Sequence, residues 1–413
     1  MTTSGSSVAL PLAGIRVLDF SQLILGPNAT MTLGDFGADV IKVERPVSGD
    51  LSRNTIPFRD PAGRNHPVFS CLNRNKRSIA LDLKNPQAAE LIIEIVKETD
   101  VLVHNFRPGV MEQMGLGYDD LAPINPRLVY AFGCGFGLTG PYTEKAGQDT
   151  VIQAMTGLMG RRGDEAIPLA GIPATPVSDF AASAHLIEGI LLALLQRATT
   201  GKGQVVRASL YDSTLAIQAV EAGMWLMRQK EFNFAALPFR DVFDTADGQI
   251  AIVAGWSKNA AVQVAHILEA PELLEDPRFA NWELQFKNRR ELHRLLKSKV
   301  RQKPSAYWLS RLEEHDILCA PVRTLSEALA DEQTEINNMI WRKDTSSDHI
   351  AMVGSAIHMS DAQAAMHRAP PKVGEHGLEI LQELGLSDNR IEHLVACGAL
   401  SLAETETEKI AVS

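Results

Sequence analysis

Segments of strand character and helix character alternate at short intervals through the first 130 residues, and this alternation constrains the fold more than any other feature. Residues 15–20 read as a short buried strand. Gly26 and Pro27 open a helix, with proline in the first turn, where its missing N–H costs nothing. Gly34 and Gly37 close that helix, and residues 40–43 form the next strand. A strand at 78–83 leads to Asn85 and Pro86, which start an amphipathic helix to Glu98 with Ala89, Leu91, Ile92, Ile95 and Val96 on one face. Residues 101–103 and 128–131 follow as strands. This order predicts an α/β protein with a parallel, doubly wound sheet. In such sheets ligands sit beyond the carboxyl ends of the strands, so the residues just after each strand are the first candidates for a site.

Further along, residues 181–197 and 209–227 read as long apolar helices, with a strand at 204–207 between them. Residues 232–328 change style, mixing short strands and amphipathic helices. After Pro370 and Pro371 come two short helices, at 378–384 and 389–396, with too little apolar face to stand alone. The expected organisation is a large Rossmann-like domain over 1–225, a smaller α+β domain over 226–330, and a return segment over 331–413 that packs on the large domain. A polar tail follows Leu402.

Fifty acidic residues against 40 basic give a net charge of −10, which disfavours nucleic acid and anionic membranes as partners. An anionic ligand must then be gripped by a local basic cluster. The four cysteines, Cys71, Cys134, Cys319 and Cys397, are widely spaced and fit neither a disulfide framework nor a zinc site. The first eight residues lack an apolar signal core, and the apolar run at 186–195 is short and interrupted by Glu188. A cytoplasmic protein that neither spans nor binds a membrane is expected.

Several catalytic signatures are excluded. Gly135, Gly137 and Gly140 match a dinucleotide glycine pattern after a strand, but Pro141 follows and no helical periodicity comes next to supply an N-terminus for a pyrophosphate. No G-x-S-x-G elbow, H-E-x-x-H pair or phosphate-binding G-x-x-x-x-G-K-[ST] loop occurs.

Basic residues do gather where the strands are expected to end. Arg45 follows one strand, and Asn105, Phe106 and Arg107 follow another. Asn73, Arg74, Asn75 and Lys76 precede the strand at 78–83. Three such loops could offer charge-assisted donors to phosphates, with Phe106 as a stacking face for a base; equally, these are ordinary solvated charges. Asp179 stands just before the apolar helix at 181–197, where it is either a helix cap, as Ser178 could also be, or a carboxylate nucleophile. Asp149, in GQDT at 147–150, is either a second candidate nucleophile or a turn residue.

Taken together, these segments resemble the class III CoA-transferase family, the formyl-CoA, carnitine and bile-acid type that also includes α-methylacyl-CoA racemase. The resemblance is carried by PLAGIRVLDF at 11–20, LGDFGADVIKVERP at 33–46 and NRNKRSIALDLK at 73–84. It continues through NFRPG at 105–109, GFGLTGP at 135–141, VSDF at 177–180, DGQIAI at 247–252 and EDPRF at 275–279. It covers about residues 11–400. It implies Asp179 as nucleophile and a site for CoA formed by Ile24 and Leu25, Arg45, Asn73–Lys76 and Asn105–Arg107. It also implies an interlocked homodimer, each chain passing through a ring made by the other. CoA or an acyl-CoA enters as substrate, with no metal and no tightly bound cofactor.

The implied reaction carries CoA from an acyl-CoA to a small carboxylic acid through an aspartyl anhydride and an aspartyl-CoA thioester, with the glycine-rich loop at 133–140 offering oxyanion donors. The alternatives are a 2-methylacyl-CoA racemase of the same fold and a non-catalytic CoA-binding module. Gln148 occupies the place of the racemase histidine and cannot exchange protons near neutral pH, which favours transfer. No Gly-Gly dipeptide exists to form the glycine lid of oxalate-type members, and Gln113 stands where those members offer an Arg. The expected acceptor is therefore another small carboxylate, such as a dicarboxylate, with Arg240 as a candidate partner for its second carboxylate.

Overall fold

The computed structural model describes residues 9–55, 66–160, 175–230, 233–255, 259–345 and 349–403. The described residues of 1–156, 173–217 and 335–413 form one compact unit, and those of 157–172 and 218–334 form another.

In the first unit, a seven-stranded sheet is built from β1 (Arg16–Asp19), β2 (Asp39–Glu44), β3 (Lys76–Leu81), β4 (Val101–His104), β5 (Val129–Cys134), β6 (Val205–Ser209) and the C-terminal β12 (Leu400–Ser401). The spatial order is β12-β3-β2-β1-β4-β5-β6, and every pair is parallel except β12 with β3. The order from β3 to β6 is that of a doubly wound sheet, whose direction of growth reverses between β1 and β4.

The strands are apolar on both faces because both faces are covered. Val17, Val40, Val101, Val103 and Ala131 meet α1 (Leu25–Asp35) and α4 (Val177–Thr200). Leu18, Ile41, Leu102 and Tyr130 meet α2 (Pro86–Val96) and the C-terminal helices Gly377–Glu383 and Asp388–Ala396. Asn85 caps α2, accepting the Gln87 N–H at 3.0 Å, and Leu91, Ile92 and Ile95 on its inner face are fully buried. Each of these side chains contributes about 1.5–3 kcal/mol of burial, so Leu91→Ala would cost about 2–5 kcal/mol.

Several expected elements differ in detail. Strand β3 begins at Lys76 rather than at Ser78, because Lys76 and Arg77 already pair with Val40 and Ile41 of β2 and each finds an acid for its charge. The expected helix at 209–227 is two helices, α5 (Leu210–Ala216) and α6 (Ala219–Arg228), broken where the two units divide. No glycine or proline marks that break in the sequence.

The second unit holds an antiparallel three-stranded sheet of β7 (Arg240–Asp244), β8 (Gln249–Val253) and β9 (Leu318–Pro321) in the order β7-β8-β9. Its own core includes Phe239, Phe243, Ile250, Leu292 and Trp308, the last two from helices Arg289–Val300 and Ser305–Glu314. Back in the first unit, β10 (Ile340–Asp344) and β11 (His349–Val353) form an antiparallel pair.

Candidate active site

The loop after β1 is immobilised at nearly every residue. Asp19 Oδ1 accepts the Ser21 N–H at 2.9 Å, and Lys42 Nζ donates to the Ser21 carbonyl at 2.8 Å. The Asn105 amide takes both main-chain groups of Gln22, accepting its N–H at 2.8 Å and donating to its carbonyl at 2.7 Å. Asp50 Oδ1 accepts the N–H of Leu23 at 3.2 Å, where the backbone has φ 66°. A residue with a side chain pays for that left-handed conformation, and the anchors on both sides hold it there. Ile24 then serves as the N-cap of α1 and Leu25 as its first residue. Asn105 thus clamps the β1 loop to the β4 loop across the point where the sheet reverses.

Arg45 and Arg107 follow β2 and β4 and are exposed. Among the described residues neither forms an ion pair, so both carry free charge at the carboxyl edge. Beside Arg107, half-buried Phe106 joins His104, Tyr118, Tyr130 and Phe132 in lining a cavity of about 200 Å³. His104 stacks on Phe132 with ring centroids 5.2 Å apart and planes 10° apart. Burial pushes its imidazole down to about 4, so at neutral pH it is an uncharged ring of the aromatic wall.

The side chains of the Asn73–Lys76 group turn inward. Arg74 makes a two-pronged pair with Asp35 at 2.9 and 2.7 Å, and Asn75 donates to the same carboxylate at 2.8 Å. Asp35 ends α1, at the amino edge of the sheet and away from Arg45 and Arg107. Lys76 Nζ donates to Asp19 at 3.0 Å, to the Pro27 carbonyl at 3.0 Å and to Asn73 Oδ1 at 2.8 Å, while Asn73 donates to the Phe69 carbonyl. All four side chains are buried. A loop that precedes a parallel strand starts from the amino edge, and here the charges of Arg74 and Lys76 pair with acids inside the unit.

Asp179 lies in the first turn of α4, which begins at Val177 and not at 181, so it is not the helix cap. Pro176 at the N-cap position has no side-chain acceptor. The cap comes from another helix, α3 (Asp149–Met155): Asp149 Oδ1 accepts the N–H of Ser178 at 2.7 Å and that of Asp179 at 3.4 Å. Its other oxygen accepts from Gln153 Nε2 at 2.5 Å. Asp149 reaches this position because Gly135, after β5, and Gly147, before α3, touch backbone to backbone; a Cβ on Gly135 would lie 2.8 Å from the Gly147 Cα. One turn into α4, Ser183 accepts from Asn28 of α1 at 2.8 Å. Burial, followed by the charge of Asp149, raises the Asp179 carboxyl from 3.8 to about 6.

Gln148 precedes Asp149 and is exposed, as is Gln113. Arg240 belongs to the second unit, on β7, with its guanidinium 5.8 Å from the centre of the Phe234 ring. Sequence reasoning missed the Asp149 cap and the Asn105 clamp. Both join residues far apart in the chain, and only a proline in place of a polar N-cap at 176 hinted that a cap must come from elsewhere.

The pattern described as CoA-transferase family III matches residues 12–377. Succinyl-CoA:glutarate CoA-transferase of Mus musculus is 35% identical over 408 residues, covering 96% of this chain and 92% of that one. Acetyl-CoA:oxalate CoA-transferase of Acetobacter aceti is 34% identical, covering 90% and 95% respectively. Among solved structures, a CAIB/BAIF family protein from Brucella suis superposes with a TM-score of 0.81 at 32% identity, covering 91% of this chain and all of that one. This chain is a CoA-transferase and belongs to CoA-transferase family III.

Proposed function

We propose that the enzyme moves CoA from an acyl-CoA to a small dicarboxylate with Asp179 as the nucleophile. The observation that carries this reading is a half-buried carboxyl raised to about 6 in the first turn of an apolar helix, with no cation paired to it among the described residues. A carboxylate that holds its proton more tightly than usual is more nucleophilic, yet at pH 7 it is still largely ionised.

In the first step an Asp179 oxygen attacks the thioester carbonyl carbon, the C–S bond breaks, and CoA thiolate leaves a mixed anhydride. A thiol of pKa about 8.5 makes the thiolate an adequate leaving group. The thiolate then attacks the Asp179 carbonyl carbon and expels the donor acid, giving an aspartyl-CoA thioester. The acceptor carboxylate attacks that thioester, and the released thiolate attacks the acceptor carbonyl of the new anhydride. The new acyl-CoA departs and Asp179 is regenerated, with no net proton consumed.

Arg45 and Arg107 suit the phosphates of CoA, and Phe106 with its adjoining cavity suits the adenine. Asn105 and the fixed loop through Ile24 and Leu25 would border the pantetheine arm. The buried Asn73–Lys76 group would support this loop from behind. Relatives named for glutarate and oxalate support a dicarboxylate acceptor. The exposed Gln148 amide lacks the proton chemistry that racemisation needs.

A homodimer is part of the proposal. Helix α6 has no buried residue and exposes Trp225, Leu226 at 76% and Met227 at 70%. Helix α4 is apolar enough over its length to cross a membrane, yet its inner face packs on the sheet while Leu192 and Leu195 face outward at 66% and 70% exposure. Apolar faces of this extent suit a second copy of the chain. Light scattering after size exclusion tests the dimer, and a monomer at micromolar concentration would oppose it. The transfer reading is tested by incubation with acyl-CoA followed by borohydride or hydroxylamine, which should modify Asp179. Tight CoA binding without turnover across a panel of acids would instead indicate a binding module.

A further inference from the structure

Asp149 is 8% exposed, receives three hydrogen bonds and is given no part in the transfer steps above. It sits at a helix N-terminus twice over, as the first residue of α3 and as the acceptor for the opening amides of α4. A carboxylate in the first turn of a helix ordinarily gains from free N–H groups there. Here the N–H groups of Ser178 and Asp179 point at Asp149, so the nucleophile beside them is denied that stabilisation.

We infer that Asp149 is a positioning residue that fixes the first turn of α4 beneath Asp179 and whose fixed negative charge drives Asp179 from free carboxylate into its uncharged covalent states. The inference rests on Asp179 being the nucleophile. An anhydride or thioester at Asp179 carries no charge, so forming either one relieves the repulsion from Asp149. Protonation of Asp179 relieves the same repulsion. Both processes should therefore feel Asp149 to the same degree.

Among the described residues, no other group competes for this role. The elements packed on α4 carry Asp35 on α1, Tyr130 and Cys134 on β5, Arg207 on β6, and Tyr211 and Asp212 on α5; His185, Glu188 and Arg197 lie farther along α4 itself. Asp35 is paired with Arg74, and of all these groups together with Asp149 only Asp149 acts on Asp179.

The substitution Asp149→Asn removes the charge and keeps the geometry. The amide oxygen can still accept from Ser178. Its new N–H can meet Gln153 Oε1, a buried atom without a hydrogen-bond partner, once the Gln153 amide turns over. The experiment measures the acidic limb of kcat/KM against pH, and the fraction of enzyme trapped as the CoA thioester at fixed acyl-CoA without acceptor.

Asp149→Asn should move the limb downward by about half a unit or more and lower the ratio of thioester to free enzyme by the matching factor, about threefold for half a unit. A folded variant with both quantities unchanged would overturn the inference. Asp149→Ser, which retains a hydroxyl acceptor, is the second neutral variant. If both neutral variants fail to fold, the carboxylate serves the fold rather than the nucleophile, and the inference likewise falls. Absence of any thioester on Asp179 in the wild type would instead defeat the assignment of the nucleophile, a distinct result.

Discussion

Lys76 Nζ lies 3.0 Å from Asp19 Oδ2, and both side chains are completely buried. Lys42 approaches the same oxygen at 4.0 Å. Burial alone would raise the Asp19 carboxyl, but Lys76 and then Lys42 outweigh it and hold it at about 2. Lys76→Met would leave Asp19 with only the more distant lysine. A loss of about 3–5 kcal/mol in urea denaturation is expected, with most of it recovered in the Asp19→Asn, Lys76→Met double variant. Equal losses from the double variant and from Lys76→Met would show that the pair is not the source.

Arginines of similar sequence context should separate cleanly in function. Arg74 is buried, paired with Asp35 and stacked 4.7 Å from the Trp341 ring, so Arg74→Ala should lower stability by about 3–5 kcal/mol. Arg45→Ala and Arg107→Ala remove exposed, unpaired charges. They should leave the melting temperature unchanged and raise KM for acyl-CoA about tenfold each, with the increase shrinking as salt rises. Steady-state kinetics at two ionic strengths with parallel thermal melts checks both halves.

That contrast marks where the sequence was legible and where it was not. Alternating strands and helices, and an acid at the start of an apolar helix, are local patterns, and β1 through β5 and the position of Asp179 follow from them. Whether a basic residue faces solvent or an internal acid depends on contacts far along the chain, such as Arg74 with Asp35 and Lys76 with Asp19. Composition shows both as charge near a strand, so the Asn73–Lys76 loop reads the same as Arg45. The cap on α4 is hidden for the same reason: Asp149 is remote from Ser178 in sequence and meets it only because Gly135 and Gly147 let two backbones touch.

Asp179 should be a liability to the fold. Its carboxyl is raised from 3.8 to about 6, so the native state holds the proton more tightly than the unfolded chain. Stability from this group is therefore undiminished below pH 4 and declines as pH rises through 6, by about 2–3 kcal/mol at pH 7. Asp179→Asn should abolish transfer and stabilise the protein at pH 7, with the gain vanishing near pH 4. Thermal melts at the two pH values test this.

His104 should act in the opposite direction. Its burial lowers the imidazole from 6.5 to about 4, so the native state resists protonation. The contribution is complete above pH 6.5 and is lost as pH falls towards 4, about 2 kcal/mol by pH 5. His104→Phe keeps a ring between Phe106 and Phe132 and should remove that part of the acid sensitivity. Urea titrations of both proteins at pH 7 and pH 5 measure it, and identical pH dependence would contradict the assignment.

The most direct measurement of the central claim is peptide mass mapping after wild-type enzyme is mixed with acyl-CoA in the absence of acceptor acid. A CoA thioester confined to the peptide bearing Asp179, removed by hydroxylamine and absent from Asp179→Ala, is the result the account predicts. A covalent adduct on another residue, or full turnover by Asp179→Ala, would contradict it.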